Sequence, residues 1–332
     1  MTVEQSVVSA PARIAAVGMY APEKILTNAD FAARLDTSDE WIVKRTGIRR
    51  RHVVAEGQYS SHLAIAAVDD MLAHHPEVRI EEIDYIIVGS STPDYAYPSL
   101  SAMLQAHFAL PKTVGALDIS TACAGFAYGL NIATGLIATR QVTRVLVITA
   151  DALTRSIDYT DRSTCVLFGD GAGAALVEYS AEPAFFGMDS GADGNGGKFL
   201  YRTALRTEIN GVEDTSRLLH QEGPAVYRWV LENVPRAVHR ILDRAGLTLD
   251  EIDWFVPHSA NLRMIEALDK RLPFPIERTL LSVEDYGNTS AVSIPLALVP
   301  AVRDGRVKPG QRVLLMGFGG GLVTAGNVIV WT

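Results

Sequence analysis

Apolar and polar positions along the chain follow two rhythms, and the alternation between them predicts the elements. Residues 13–20 (RIAAVGMY), 83–89 (IDYIIVG), 117–120 (LDIS), 144–150 (RVLVITA) and 174–179 are short apolar runs bounded by turn residues, and read as strands. Between residues 60 and 74, Ala64, Ala67, Val68, Met71 and Leu72 recur at helical spacing on one face. A second, more uniformly apolar helix is expected at 124–138. In the second half, 224–245 is a long helical pattern in which Pro235 should mark a kink or a break. Strands are expected at 253–256 (DWFV), 312–317 and 322–331, and helices at 262–271 and 290–302. The glycine-rich stretch 191–197 (GADGNGG) has no preceding strand and no following Lys-Ser/Thr, so it reads as a loop rather than a phosphate cradle. The first ten or so residues read as a short flexible tail.

Strands alternating with helices predict α/β architecture, with helices covering a mostly buried sheet. The pattern also echoes itself. An apolar helix opened by Cys123 is followed by RVLVITAD and then FGDGAGAALVEY; later, an apolar helix opened by GNTS is followed by RVLLMGFGGG and then LVTAGNVIVW. Two similar halves are expected, residues 1–182 and 183–332.

Composition narrows the function classes. The 332 residues are 48% hydrophobic and 20% charged, enough apolar material for a large core. A formal net charge of −8 argues against a general nucleic-acid binder. With two cysteines, Cys123 and Cys165, the chain is neither a disulfide scaffold nor a cysteine metal site, and a reduced, cytoplasmic setting is expected. No signal peptide is read at the N-terminus, and no apolar run reaches the roughly 18–20 residues of a membrane span.

Four places can carry chemistry. Cys123 (DISTACAG) sits between a strand and a helix, where the positive end of the helix dipole biases a thiol towards thiolate; a small buried hydrophobe is the competing reading. Cys165 is flanked by apolar residues and reads as core. His258 (VPHSANLR) follows a strand, at the end where α/β sheets meet ligands, although a structural histidine would also fit. Asn288 (YGNTS) precedes an apolar helix and by itself reads as a loop residue or N-cap. The run 317–321 (GFGGG) ends a strand, and its backbone N–H groups could face a reacting oxygen or simply form a tight turn. No carboxylate stands out as a general base.

Taken together and in order, TACAGF, VPHSANLR, YGNTS and GFGGG resemble the thiolase-fold condensing enzymes, most closely β-ketoacyl-acyl carrier protein synthase III of the Gram-positive branch. The likeness extends to residues 36–52 (DTSDEWIVKRTGIRRRH) and 160–176 (TDRSTCVLFGDGAGAAL). It implies a five-layer α/β/α/β/α sandwich of two similar halves, a homodimer, and acyl-CoA and malonyl-acyl carrier protein as substrates, with no cofactor. It implies Cys123 as nucleophile, the N–H groups of Cys123 and Gly320 as oxyanion hole, and His258 and Asn288 as donors to the malonyl thioester carbonyl. Trp41, Arg45, Arg162 and Asn261 match CoA contacts. Arg263, Lys270 and Arg271 match a carrier-protein surface, with Glu266 and Asp269 interleaved. Tyr97 matches an aromatic residue that closes the acyl pocket across the dimer, where most relatives have Phe.

The resemblance leaves the primer open. Arg155 and Tyr97, if directed into the pocket, would favour a polar or acidic starter and a specialised pathway, such as polyketide priming or dicarboxylic acyl synthesis. A thiolase lacks support because no second cysteine lies in a C-terminal glycine-rich context, and hydroxymethylglutaryl-CoA synthase needs a carboxylate base. A Cys/His/Asn thioester hydrolase and a catalytically silent scaffold are the alternatives from other classes.

Overall fold

The computed structural model describes residues 7–332. Its frame is two five-stranded mixed sheets. The first runs Ala12–Tyr20, Gly171–Tyr179, Arg144–Asp151, Tyr85–Gly89 and Gly115–Ile119; the first two pairings are antiparallel and the last two parallel. The second runs Ser9–Ala10, Phe185–Ala192, Val323–Val330, Arg312–Gly319 and Trp254–Pro257, with only the last pair parallel. From its long first strand onwards, the second sheet matches the first four strands of the first in pairing direction, with no counterpart to Gly115–Ile119.

Helices complete five layers. Ser60–His74 covers the outer face of the first sheet, burying Leu63, Ala64, Ala67, Val68 and Met71 as the helical spacing predicted. Gly223–Ala245 covers the outer face of the second. Between the sheets lie Gly125–Ala138 and Ser293–Arg303. These two touch sheet on both sides, which is why their sequences are apolar nearly all round. The polar exception on the first is satisfied: Asn131 donates to the carbonyl of Asp189 at 3.2 Å and accepts from Asn327 at 2.8 Å. This layering is the thiolase fold.

Three expectations need correction. Helix Gly223–Ala245 runs through Pro235 without a break, because Val230, Val234, Val238 and Ile241 bury one continuous stripe along it. The expected N-terminal tail falls outside the described residues for positions 1–6, but Ser9–Ala10 pairs with Phe185–Phe186 as an edge strand. Strand Phe185–Ala192 was not foreseen, since its second half, MDSGA, carries no apolar alternation; pairing on both edges holds it in the sheet. No helix among the described residues is long and apolar enough to cross a membrane.

Candidate active site

Two strand-to-helix turns meet between the sheets. In one, the chain leaves strand Gly115–Ile119, turns through Ala122–Ala124 and enters Gly125–Ala138. In the other, the turn Ser290–Val292 enters Ser293–Arg303. Each turn carries a non-glycine residue in the left-handed region, Ala122 at φ 42° and Ser290 at φ 55°, a conformation that costs of order 1–3 kcal/mol and persists where the surroundings enforce it. The turns are packed so closely that a Cβ on Gly125 would lie 3.1 Å from the Ala291 Cβ.

Cys123 projects from the first turn to the bottom of a cavity of about 790 Å³ that opens to the surface. The cavity is also lined by His258, Asn288, Ser290, Phe318 and Gly319. Residues far apart in sequence are thus brought to one place. Gly319 ends strand Arg312–Gly319 against the sulfur: a Cβ there would lie 2.9 Å from Sγ. The backbone N–H groups of Gly320 and of Cys123 itself act on the sulfur. The thiolate bias expected from the helix dipole is overturned. Burial pushes the thiol up to about 11, against the hydrogen bond from Ser290 and those backbone N–H groups, so Cys123 rests as a thiol at neutral pH.

His258 follows strand Trp254–Pro257, and its own N–H donates to the Met316 carbonyl at 2.8 Å. Burial pulls its pKa down to about 3, against a hydrogen bond with the Ser290 backbone, so the ring is neutral. Its tautomer follows from bond counting. Ser293 Oγ accepts from the Ser259 N–H at 3.1 Å and lies 2.7 Å from His258 Nδ1. The hydroxyl has one proton, and among the described residues His258 Nδ1 is its only acceptor. Donation from Ser293 to Nδ1 uses that proton, and we assign the ring proton to Nε2 on this ground. Asn288 is oriented the same way: its Oδ1 accepts from the Ser290 N–H at 3.0 Å, which leaves the carboxamide NH₂ to donate. One turn thus sets both side chains as hydrogen-bond donors. Phe318 packs edge-on to the His258 ring at 5.3 Å.

Trp41, Arg45, Asn261 and Arg263 line the same cavity. The guanidinium groups of Arg45 and Arg162 stand 5.8 and 5.5 Å from the centre of the Trp41 ring; Arg162 itself bonds Asp36 and is not part of the lining. Asn261 caps helix Leu262–Arg271 through its Oδ1. Arg263 donates to the carbonyls of Lys44 and Val43 and pairs with Glu266, so the charge expected on that helix face is partly neutralised. Lys270 and Arg271 are exposed, and among the described residues neither forms an ion pair. Sequence reasoning missed Arg228, an exposed cation of the lining without an ion pair among the described residues; it lies on a helical face that looks merely solvated.

Tyr97 is 87% exposed and does not line the cavity of its own chain. Arg155 is directed elsewhere too, donating to the carbonyls of Gln58 and Ala55 and lying over the Tyr59 ring. Arg155 thus brings no charge to the cavity of its own chain, whose walls include Leu153, Val166, Leu167, Leu219 and Val226. Cys165 is buried with Phe31, Ile42 and Val166, as its apolar flanks indicated. The sequence singled out no carboxylate as a general base, yet one lies near the nucleophile. Asp151, at the end of strand Arg144–Asp151, is fully buried and close enough to Cys123 for its charge to act on the thiol. Its position at the C-terminal end of an apolar strand was the available signal.

A cysteine on a strained turn, a neutral histidine and an asparagine held as donors, and two glycines at the sulfur define a condensing enzyme of the thiolase fold. Comparison with known proteins carries this further. Residues 117–194 match the model of 3-oxoacyl-[acyl-carrier-protein] synthase III, and residues 242–331 match the model of its C-terminal part. The chain is 51% identical to beta-ketoacyl-[acyl-carrier-protein] synthase III 2 of Bacillus subtilis, over 96% of this chain and 98% of that protein. The crystal structure of beta-ketoacyl-[acyl carrier protein] synthase III from Thermus thermophilus superposes with a TM-score of 0.93 at 44% identity, covering 96% and 99% of the two chains. A priming beta-ketosynthase from the R1128 polyketide biosynthetic pathway gives 0.89 at 36% identity, covering 97% of each chain. The chain belongs to the β-ketoacyl-acyl carrier protein synthase III family.

Proposed function

We propose that the protein condenses a short, apolar acyl-CoA primer with malonyl-acyl carrier protein, releasing CoA and CO₂ and giving the 3-oxoacyl-acyl carrier protein that initiates fatty-acid synthesis. Cys123 takes the acyl group from CoA, and the tetrahedral oxyanion rests on the N–H groups of Cys123 and Gly320. Malonyl-acyl carrier protein then places its thioester carbonyl against His258 Nε2 and the Asn288 NH₂. As CO₂ leaves, charge grows on that oxygen, and two donors fixed in a dry site stabilise the enolate more than the ground state. The carbanion attacks the Cys123 acyl group. Forming the carbanion takes no external base and no cofactor, since loss of CO₂ makes it.

The observation that carries the reading is the joint orientation of His258 and Asn288 as donors beside Cys123 in one cavity. It also disfavours the hydrolase alternative, in which histidine must accept the thiol proton: a ring whose pKa burial lowers to about 3 is a poor base. An apolar primer is supported by the direction of Arg155, whose guanidinium is held by the carbonyls of Gln58 and Ala55, and by the apolar side chains of the lining.

Trp41, Arg45, Arg162, Asn261 and Arg228 would hold the CoA nucleotide at the mouth. Lys270 and Arg271, with Arg263, would meet the acidic carrier protein. A homodimer would pair the open edge of Gly115–Ile119, where Leu117 is exposed, and carry Tyr97 to the partner's pocket. The matching pairing directions support two halves, 1–182 and 183–332, and the site fits a cytoplasmic enzyme.

Intact-protein mass spectrometry after acyl-CoA treatment tests the core of the scheme. Cys123→Ala should take up no acyl group, whereas His258→Ala and Asn288→Ala should acylate normally and lose decarboxylation of malonyl-acyl carrier protein by about 10²–10³-fold. An acyl adduct that survives in Cys123→Ala would refute it.

A further inference from the structure

Acylation requires that the Cys123 proton go somewhere, and His258, a neutral donor, cannot take it. Behind the nucleophile lies Asp151, with 0% of its surface exposed. Its Oδ1 accepts from the Ser91 N–H at 2.6 Å, the Thr92 hydroxyl at 3.1 Å and the Ser90 hydroxyl at 3.3 Å. Its Oδ2 has no hydrogen-bond partner among the described residues. A buried carboxylate with one oxygen fully bonded and the other bare calls for an explanation. The surroundings are polar in the same way: Ser91 Oγ, Thr121 Oγ1 and Thr289 Oγ1 are also buried without partners, and the last two sit immediately before the two turns. Ser91, Cys123 and Ser290 all line the reaction cavity, and strand Arg144–Asp151 packs against the Ser290 turn. The Ser290 turn packs against the Cys123 turn as well, which puts its hydroxyl within reach of both the thiol and the carboxyl.

We infer that Asp151 accepts the Cys123 proton through the Ser290 hydroxyl as the acyl-enzyme forms, and returns it when condensation expels the cysteine sulfur. The inference deepens the condensation scheme and rests on it. In the first step the Sγ–acyl bond forms and the acyl–CoA bond breaks; the Cys123 proton passes to Asp151, and CoA leaves as a thiolate that takes its proton from solvent at the mouth. In the second step the Sγ–acyl bond breaks, Cys123 leaves as a thiolate, and protonated Asp151 neutralises it.

Charge favours this order. A thiolate beside an ionised Asp151 would put two negative charges in a buried site, whereas transfer keeps one. The acyl-enzyme then holds a neutral Asp151 when the malonyl carboxylate arrives. Burial raises the Asp151 carboxyl to about 6, against its donors, which keeps it ionised and ready at neutral pH yet easily protonated. The charge of Asp151 acts in turn on two titratable groups, Cys123 and Asp170; Asp170 is itself buried, raised to about 6 and bonded by the N–H groups of Thr154 and Val54. His258 nearby stays neutral.

The test is the rate of acyl-enzyme formation from acyl-CoA, by quench and intact mass, across pH 5–9.5. The natural protein should level off above about pH 6. Asp151→Asn should acylate at least ~100-fold more slowly at pH 7 and gain about tenfold per pH unit, as an unassisted thiol ionises. Ser290→Ala should show the same slope, and carries the test if Asp151→Asn fails to fold. Malonyl-acyl carrier protein decarboxylation in Cys123→Ala should change less than threefold when Asp151→Asn is added. Acylation by both variants at the natural rate and pH profile would overturn the inference, as would an equal loss of decarboxylation, which marks a merely structural role. Acyl uptake in Cys123→Ala would instead sink the underlying scheme.

Discussion

Gly319→Ala tests the closeness of the glycine hairpin to the nucleophile. The added Cβ would stand 2.7 Å from the Cys123 Cβ, 2.9 Å from its Sγ and 3.6 Å from its N. Carbon atoms in contact prefer about 3.5–4.0 Å, so something must move by roughly 1 Å. Neither side yields cheaply. Gly319 is paired with Val323 in the sheet, and Cys123 follows Ala122, already in the left-handed region. Overpacking of this kind costs about 1–3 kcal/mol, and a shift of about 1 Å at a reacting group costs on the order of 10²-fold in rate. Acyl-enzyme formation from acyl-CoA should therefore fall about 100-fold, with a modest drop in melting temperature. Gly320→Ala gives a graded comparison: its Cβ would meet the Ala122 Cβ at 3.2 Å and the Leu200 side chain at 3.5 Å, a milder overlap than at Gly319, so its loss should be smaller. Gly319→Ala acylating at the natural rate would refute the close approach.

Two further outcomes follow from the same geometry. Ser293→Ala removes the donor to His258 Nδ1; acylation should persist while malonyl-acyl carrier protein decarboxylation falls by about 10-fold or more as the ring proton redistributes, and Ser293→Thr should restore part of it. Asp269, buried and bonded by Thr279 at 3.1 Å, has its carboxyl raised to about 6, first by burial and then by Glu266 and Glu277. Its folded pKa lies above the unfolded value, so its contribution is most favourable below about pH 4 and is lost as pH rises through 6, by at most about 3 kcal/mol. Asp269→Asn should thus melt higher relative to the natural protein at pH 8 than at pH 5; an equal difference at both would contradict the shift.

Much of the fold was legible because periodicity reports burial. The stripe of Ser60–His74 and the all-apolar Gly125–Ala138 appear in the structure within a residue of their expected bounds. Strand Phe185–Ala192 was illegible because its pairing, not its composition, makes it a strand. Of the site, Cys123, His258 and the terminal glycines were candidates from their places at strand ends and helix starts, whereas Asn288 read as a loop residue or N-cap until the family resemblance marked it. Ser293 did not stand out, since a serine in an apolar helix has no local mark until the histidine 35 residues away is seen beside it. Asp151 lay one residue past the expected strand 144–150 and drew no reading, and Arg155 read as a possible pocket cation until its carbonyl partners fixed its direction.

Local order along the chain thus determined which segments are strands and helices, that the chain is α/β with a repeated rhythm, and which residues begin the helices at the site. Only the tertiary structure decided what those residues are chemically. Burial turned Cys123 into a resting thiol and His258 into a neutral ring. Contacts across 60 to 100 positions hold the Asp151 carboxylate and turn Arg155 away from the cavity. Protonation and side-chain direction depend on desolvation and on partners distant in sequence, and neither is a property of a local segment.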